Sequence, residues 1–303
     1  MRDNNLPNFL IVGAAKCGTT SLHNYLNQHP DIFMPSYNNQ GMKVKEPRFL
    51  IKDVVQNRLH NGVWNWEEYQ SLFHRVKAEK AIGESTVLYL YYYKHAIENI
   101  KKYLGEDIKI IIMLRNPIDR AFSAYTHVAR SVKENLTFEE ALSLESGRLE
   151  NDLTLTPMVR YKDMGLYFRM VQAYMQAFSK VKIIFYDEFK ENTADVVNGC
   201  FEFLGVSKEE KIDTSNKYNV GGVSWRHSCF RNLLMRDYFI KRKLKSLIPA
   251  SVRRKIRLLL TSIFTRDAKT FSIQTKNELI NFFKADIYKL SELLNKDLTH
   301  WLK

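Results

Sequence analysis

The sequence predicts an α/β fold, a central parallel sheet flanked by helices and followed by a helical C-terminal subregion. Short apolar runs with the character of buried strands alternate with helical spacing from residue 9 to residue 204. Sheets covered on both faces read as continuous Val/Ile/Leu-rich runs, and IKIIIML at 108–114 is the clearest of them. After about residue 211 the strand character gives out and only helical patterns follow. The 303 residues read as one domain, with an α/β core over about 8–210 and a helical cap over about 211–303.

The elements follow in order. Residues 9–12 form a short buried strand that ends at Gly13, and a helix runs over about 19–28. Pro, Asn and Gly punctuation makes 31–49 a loop. A short helix over 66–73 precedes a short strand at 81–83, then a helix over 95–104 and the strand at 108–114. Pro117 opens the next helix, because proline suits a first turn. A helix over 165–178, a strand over 181–186 and a helix over 193–204 complete the core. Ligands of such sheets sit at the carboxyl ends of the strands, which directs attention to 13–20 and 115–123.

Composition narrows the function. With 45% hydrophobic and 26% charged residues the chain is globular rather than disordered. An excess of 46 Lys+Arg over 33 Asp+Glu, net +13, suggests an anionic partner. The three cysteines, Cys17, Cys200 and Cys229, form no CxxC pair, which removes zinc ribbons and thioredoxin-like sites. They read as reduced thiols of a cytosolic protein. The apolar run at 9–15 is too short for a signal peptide, and no run approaches the roughly 20 residues of a membrane span. The expected location is the cytoplasm. No clear His/Asp/Glu cluster suggests a metal.

The strongest motif is IVGAAKCGTTSL at 11–22, a strand, a loop of small residues and a helix opening on Thr19, Thr20 and Ser21. Backbone N–H groups at a helix N-terminus, with nearby hydroxyls, make a phosphate cradle. Gly13-x4-Gly18 has P-loop spacing, so the sheet is P-loop-like, but Thr19-Thr20 stands where Lys-Ser/Thr should follow. The lysine is instead Lys16, inside the loop, an arrangement unsuited to triphosphate hydrolysis. A tight strand-to-helix turn with ordinary caps is the bland alternative.

The second motif is IIIMLRNPIDRAFSAYTH at 110–127. A buried strand ends at Arg115, whose forked guanidinium suits a phosphate, and Ser123 lies within the following helix. A P-loop kinase would often carry a magnesium-binding aspartate where Arg115 stands. Alone, the pattern fits a surface arginine and a helix cap equally well.

Together the two stretches resemble the sulfotransferases that use 3′-phosphoadenosine 5′-phosphosulfate. KCGTTSL is similar to that family's 5′-phosphosulfate loop, and LRNPIDRAFSAY to its 3′-phosphate motif. KVKEPRFLI at 43–51 and GESTVLYL at 83–90 resemble elements of the carbohydrate-type branch. The resemblance covers about 8–210. It implies that Lys16, Cys17, Gly18, Thr19, Thr20 and Ser21 hold the 5′-phosphosulfate, and Arg115 and Ser123 the 3′-phosphate. Lys16 would also stabilise the leaving oxygen, and Glu46 would be the general base, unless it is merely a solvated partner of Lys45 or Arg48. In YNVGGVSWRHSCF, Trp225 would lie near the adenine or at the site rim, and Arg226 would reach the 3′-phosphate. The product would be adenosine 3′,5′-bisphosphate, no metal is required, and the acceptor would be a hydroxyl on a carbohydrate or glycoconjugate.

Some features depart from the pattern. Golgi glycosaminoglycan enzymes often carry a lysine where Ser85 stands, and a disulfide-closed loop that this chain lacks, which counts against heparan-type acceptors. His127 and His23 are candidate bases outside any matching motif. The acceptor pocket is expected from loops around 34–66, 85–95 and 145–165. Residues 226–257 hold eleven Lys/Arg and one acid, Asp237, with interleaved apolar residues. That run reads as a solvated basic helix face, an anionic-saccharide groove or a membrane-surface patch, and not as a nucleic-acid site. The rival readings are a P-loop-type kinase or NTPase, and a non-catalytic binder of acidic polymer or membrane surface.

Overall fold

Five short strands place the functional loops. They are β1 (Phe9–Gly13), β2 (Ile32–Phe33), β3 (Ala81–Ser85), β4 (Lys109–Leu114) and β5 (Val181–Phe185). In this computed structural model residues 5–36, 45–130, 134–216 and 270–303 are described in full, and 223–225 and 265–267 by their backbone. The sheet order is β2-β3-β1-β4-β5 and every pairing is parallel. All five residues of β1 are buried, as are the last five of β4, which is why neither run alternates in polarity. Gly83 lies opposite Phe9 in the register, and a Cβ there would fall 2.2 Å from the Phe9 ring. Only glycine lets β1 and β3 meet at that point.

This order has a consequence for ligand binding. The chain runs from β1 to β2 and β3 on one side, then returns to place β4 on the other. The switch point therefore lies between the carboxyl ends of β1 and β4, and it brings residues 14–21 beside residues 115–123.

The helix Pro117–Ala129 starts on proline, and Asn116 caps it by accepting from the Ile118 amide at 3.0 Å. The last long helix, Ile273–Leu294, is capped by Ser272 and packs Phe283, Ile287 and Leu290 inward against the Tyr167–Ala177 helix. Beyond it Trp301 is buried between Tyr167 and Phe185, and its carbonyl accepts from Asn116 Nδ2 at 3.2 Å. The end of the chain thus tethers the turn that follows Arg115.

The structure departs from the expected elements in six places. β3 continues to Ser85, and the 31–49 loop contains β2, two residues long and below what periodicity can register. Short helices at Leu88–Tyr91, Phe138–Ser143 and Tyr186–Glu191 were not foreseen. The C-terminal region is not purely helical, since Val223–Trp225 and Thr265–Asp267 pair as antiparallel strands three residues long. The basic segment 226–257, Arg226, Cys229 and the Trp225 side chain lie outside the described residues. No helix among the described residues is long and apolar enough to cross a membrane.

Candidate active site

The loop after β1 is fastened to the neighbouring strand. The Ala14 amide donates to the Met113 carbonyl at 2.7 Å, and the Cys17 amide turns back to Ala14 at 3.3 Å. Lys16 (φ 71°) and Gly18 (φ 88°) both take the left-handed conformation. At Gly18 a Cβ would also sit 3.2 Å from Tyr186 and 3.3 Å from Phe189. The helix Thr19–Leu26 begins there with no side-chain cap. The Ser21 amide donates to the Gly18 carbonyl at 2.9 Å, and the terminus carries the positive end of the helix dipole, which suits an anion.

Cys17 lies beneath the loop rather than at its mouth. Its thiol is fully buried, within 3.7 Å of the Ala15 carbonyl and 3.8 Å of Tyr167 Oη, and burial pushes it up to about 11. Tyr167 Oη in turn donates to the Arg115 carbonyl at 3.0 Å. The residue read as donor-binding is therefore, in its side chain, a brace between the two phosphate motifs.

Arg115 follows β4 directly. Its guanidinium stacks 4.8 Å above the Tyr186 ring and approaches Asp119 at 3.7 Å. Its Nε is buried and has no hydrogen-bond partner among the described residues. Such an N–H costs about 1–3 kcal/mol while unsatisfied, so it fits an anionic oxygen arriving from the cleft.

A cleft of 780 Å³ collects the expected residues. Lys16, Gly18, Thr19, Thr20 and Ser21 line it together with Arg115, Ser123 and Glu46. All three segments expected to shape the acceptor pocket contribute, through Glu46 to Asn61, Val87 and Leu88, and Thr156 to Met158. Tyr186, Phe189, Lys190 and Thr193 also line it and were missed. The available signal was positional, because they follow β5, whose carboxyl end shares the edge of the sheet with β1 and β4.

Glu46 is held by two cations, Lys45 Nζ at 3.4 Å and Arg48 Nη2 at 3.2 Å. Arg48 also donates to the Asn61 carbonyl at 2.7 Å and to Asn61 Oδ1 at 3.0 Å. Burial, then Arg130 and Arg115, lowers the Lys16 ammonium to about 8, with Cys17 and Glu46 opposing. His127 lines the cleft, and partial burial with Lys16 and Arg130 lowers it to about 4, so the ring is neutral at neutral pH. His23 is elsewhere, buried and sharing a hydrogen bond with Ser85 Oγ at 3.1 Å. Among the described residues no group of three or more His, Cys, Asp or Glu could hold a metal.

Comparison with known proteins points one way. A family model described as the sulfotransferase domain matches residues 6–220. The crystal structure of a sulfotransferase from Alicyclobacillus acidocaldarius is 30% identical and superposes with a TM-score of 0.72, over 98% of this chain and 99% of that one. Mouse carbohydrate sulfotransferase 15 is 25% identical over 270 residues, 70% of this chain and 46% of its own length. Human bifunctional heparan sulfate N-deacetylase/N-sulfotransferase 2 is 26% identical over 212 residues, 67% of this chain and 22% of its own. The chain spans less than half the length of these two curated relatives.

Proposed function

Because the chain belongs to the sulfotransferase domain family, we propose that its cleft moves a sulfuryl group from 3′-phosphoadenosine 5′-phosphosulfate to a carbohydrate or glycoconjugate hydroxyl. The observation that carries this reading is the meeting of three things in one cleft: the Lys16 loop, Glu46, and Arg115, whose Nε has no hydrogen-bond partner among the described residues.

The donor supplies an activated sulfuryl group, and the chain supplies position and charge. The first-turn amides of the Thr19–Leu26 helix, with Thr19, Thr20 and Ser21, hold the 5′-phosphate. Arg115 and Ser123 hold the 3′-phosphate, beside the aromatic wall that Tyr186 provides. Trp225 and Arg226 are assigned to the adenine and the 3′-phosphate on the sequence alone. Glu46 accepts the acceptor proton, while Lys16 donates to the oxygen that takes the electron pair of the breaking S–O bond. A lysine titrating at about 8 is mostly charged at neutral pH, and a neighbouring anion raises it further.

The kinase reading fares worse, since Thr19-Thr20 stands where a triphosphate loop needs lysine, and Arg115 ends β4. The reaction is assigned to the cytoplasm, a reading supported by Cys17 and Cys200 being buried free thiols.

The test offers sulfate-labelled donor, and separately γ-labelled ATP, with a pool of unsulfated oligosaccharides. Label is expected in saccharide from the sulfate donor alone, with equimolar release of the bisphosphate. Label from ATP alone would overturn the reading.

A further inference from the structure

We propose that Glu84 is a positioning residue for sulfuryl transfer. Through the hydroxyls of Thr86 and Tyr89 it fixes the segment 46–51 and so aims Glu46 into the cleft. The proposal rests on Glu46 being the base.

Glu84 sits in β3 and is fully buried, and no lysine or arginine pairs with it among the described residues. Three hydroxyls donate to its carboxylate. Tyr89 Oη reaches Oε1 at 2.7 Å, Tyr69 Oη reaches Oε1 at 3.3 Å, and Thr86 Oγ1 reaches Oε2 at 2.9 Å. A buried carboxylate without a cation is a poor way to stabilise a core, where an apolar residue of like volume often serves as well or better. Its position calls for another explanation.

That explanation lies in what the same hydroxyls accept. Thr86 Oγ1 accepts the Arg48 amide at 3.4 Å, and Tyr89 Oη accepts the Leu50 amide at 3.3 Å. A hydroxyl has one proton, and Glu84 takes it from each, which leaves their lone pairs facing the two amides. The carboxylate therefore sets the direction of both struts. Arg48 is a non-glycine residue at φ 62°, a conformation that persists only where the surroundings over-determine it. Its guanidinium then grips Glu46 at 3.2 Å. The chain of contacts from a buried strand to the proposed base is continuous.

Protonation bears on the same struts. Burial raises the Glu84 carboxyl to about 7 against the pull of its three donors, with the Glu46 charge pushing the same way as burial. Tyr69, Tyr89 and Tyr174 are the other titratable groups around it, all held above the ordinary tyrosine range by burial, so they remain protonated. A proton on Glu84 puts a donor where an acceptor is needed, and Glu84→Gln does so at every pH. The hydroxyl facing that donor loses its acceptor on Glu84, so its lone pair is no longer held toward the segment amide, with no change in volume.

The test is hydrogen exchange of the intact chain, read by mass spectrometry, with bisphosphate binding and sulfate transfer measured alongside. In Glu84→Gln the amides of 46–51 should exchange about tenfold faster, as one lost hydrogen bond allows. The β1 and β4 amides should keep their protection, and bisphosphate affinity should stay within about twofold while turnover falls. Wild type below about pH 6, corrected for intrinsic exchange, should approach the variant. Unchanged exchange at 46–51, or an equal rise across the whole sheet, would overturn the proposal. Should Glu84→Gln fail to fold, Thr86→Val removes the Arg48 strut together with one donor to Glu84, leaves the Tyr89 strut in place, and carries the same expectation for the 46–51 amides. Glu46→Gln separates the two ideas, since normal turnover there sinks the base but leaves the exchange result to decide Glu84.

Discussion

Arg115→Ala removes a guanidinium that does little for the stability of the fold. Its ion pair with Asp119 spans 3.7 Å to a carboxylate whose side chain is 56% exposed, and such pairs contribute only about 0–1 kcal/mol. The brace from Tyr167 ends on the Arg115 backbone carbonyl, so alanine keeps it. The loss should fall on the ligand. A hydrogen bond from a charged group is worth about 1.5–3 kcal/mol, which weakens binding roughly 10- to 150-fold. Calorimetry with adenosine 3′,5′-bisphosphate should show that loss, whereas adenosine 5′-phosphate, lacking the 3′-phosphate, should change by less than about threefold. Arg115→Lys should recover only part of the affinity, because an ammonium restores charge without the fork. Equal weakening for both nucleotides would refute the assignment of Arg115 to the 3′-phosphate.

Two further outcomes are expected. The Lys16 ammonium binds the anion only when protonated, and its pKa in the free chain is lowered to about 8. Bisphosphate affinity should thus hold below pH 8 and fall above it by about tenfold per unit until the bound lysine's own pKa is reached; Lys16→Ala should flatten that profile in calorimetry run from neutral to alkaline pH. Sulfate transfer should survive dialysis against EDTA, and a complete loss that magnesium restores would favour phosphoryl chemistry.

What the sequence made legible was local. Lys16 to Ser21 are contiguous, so the strand-to-helix change around them marks a candidate site without knowledge of the fold, and five of these six residues line the cleft. Arg115 and Ser123 are legible in the same way, and with Ser123 on the cleft face His127 follows it, being four residues on along one helix. That the Cys17 thiol points beneath the loop could not be read, because the direction of a side chain in a left-handed loop has no period. Tyr186 and Phe189 join the cleft only through the parallel pairing of β4 with β5, a contact across many residues of sequence. The Glu84 struts escaped for a related reason. Glu84, Thr86 and Tyr89 are close in sequence, but the amides they serve belong to residues 48 and 50, brought near by tertiary packing.

Glu46 and Lys16 are proposed to act on one transfer from different sides of its balance of charge. The measurement that meets this proposal most directly is single-turnover sulfate transfer by Glu46→Gln at saturating donor, paired with bisphosphate calorimetry on the same preparation. Loss of a general base should slow the transfer by about 100- to 10,000-fold while nucleotide affinity stays as in wild type. A rate within about threefold of wild type, a barrier change of well under 1 kcal/mol, would rule out Glu46 as the base, and His127 would become the next group to test.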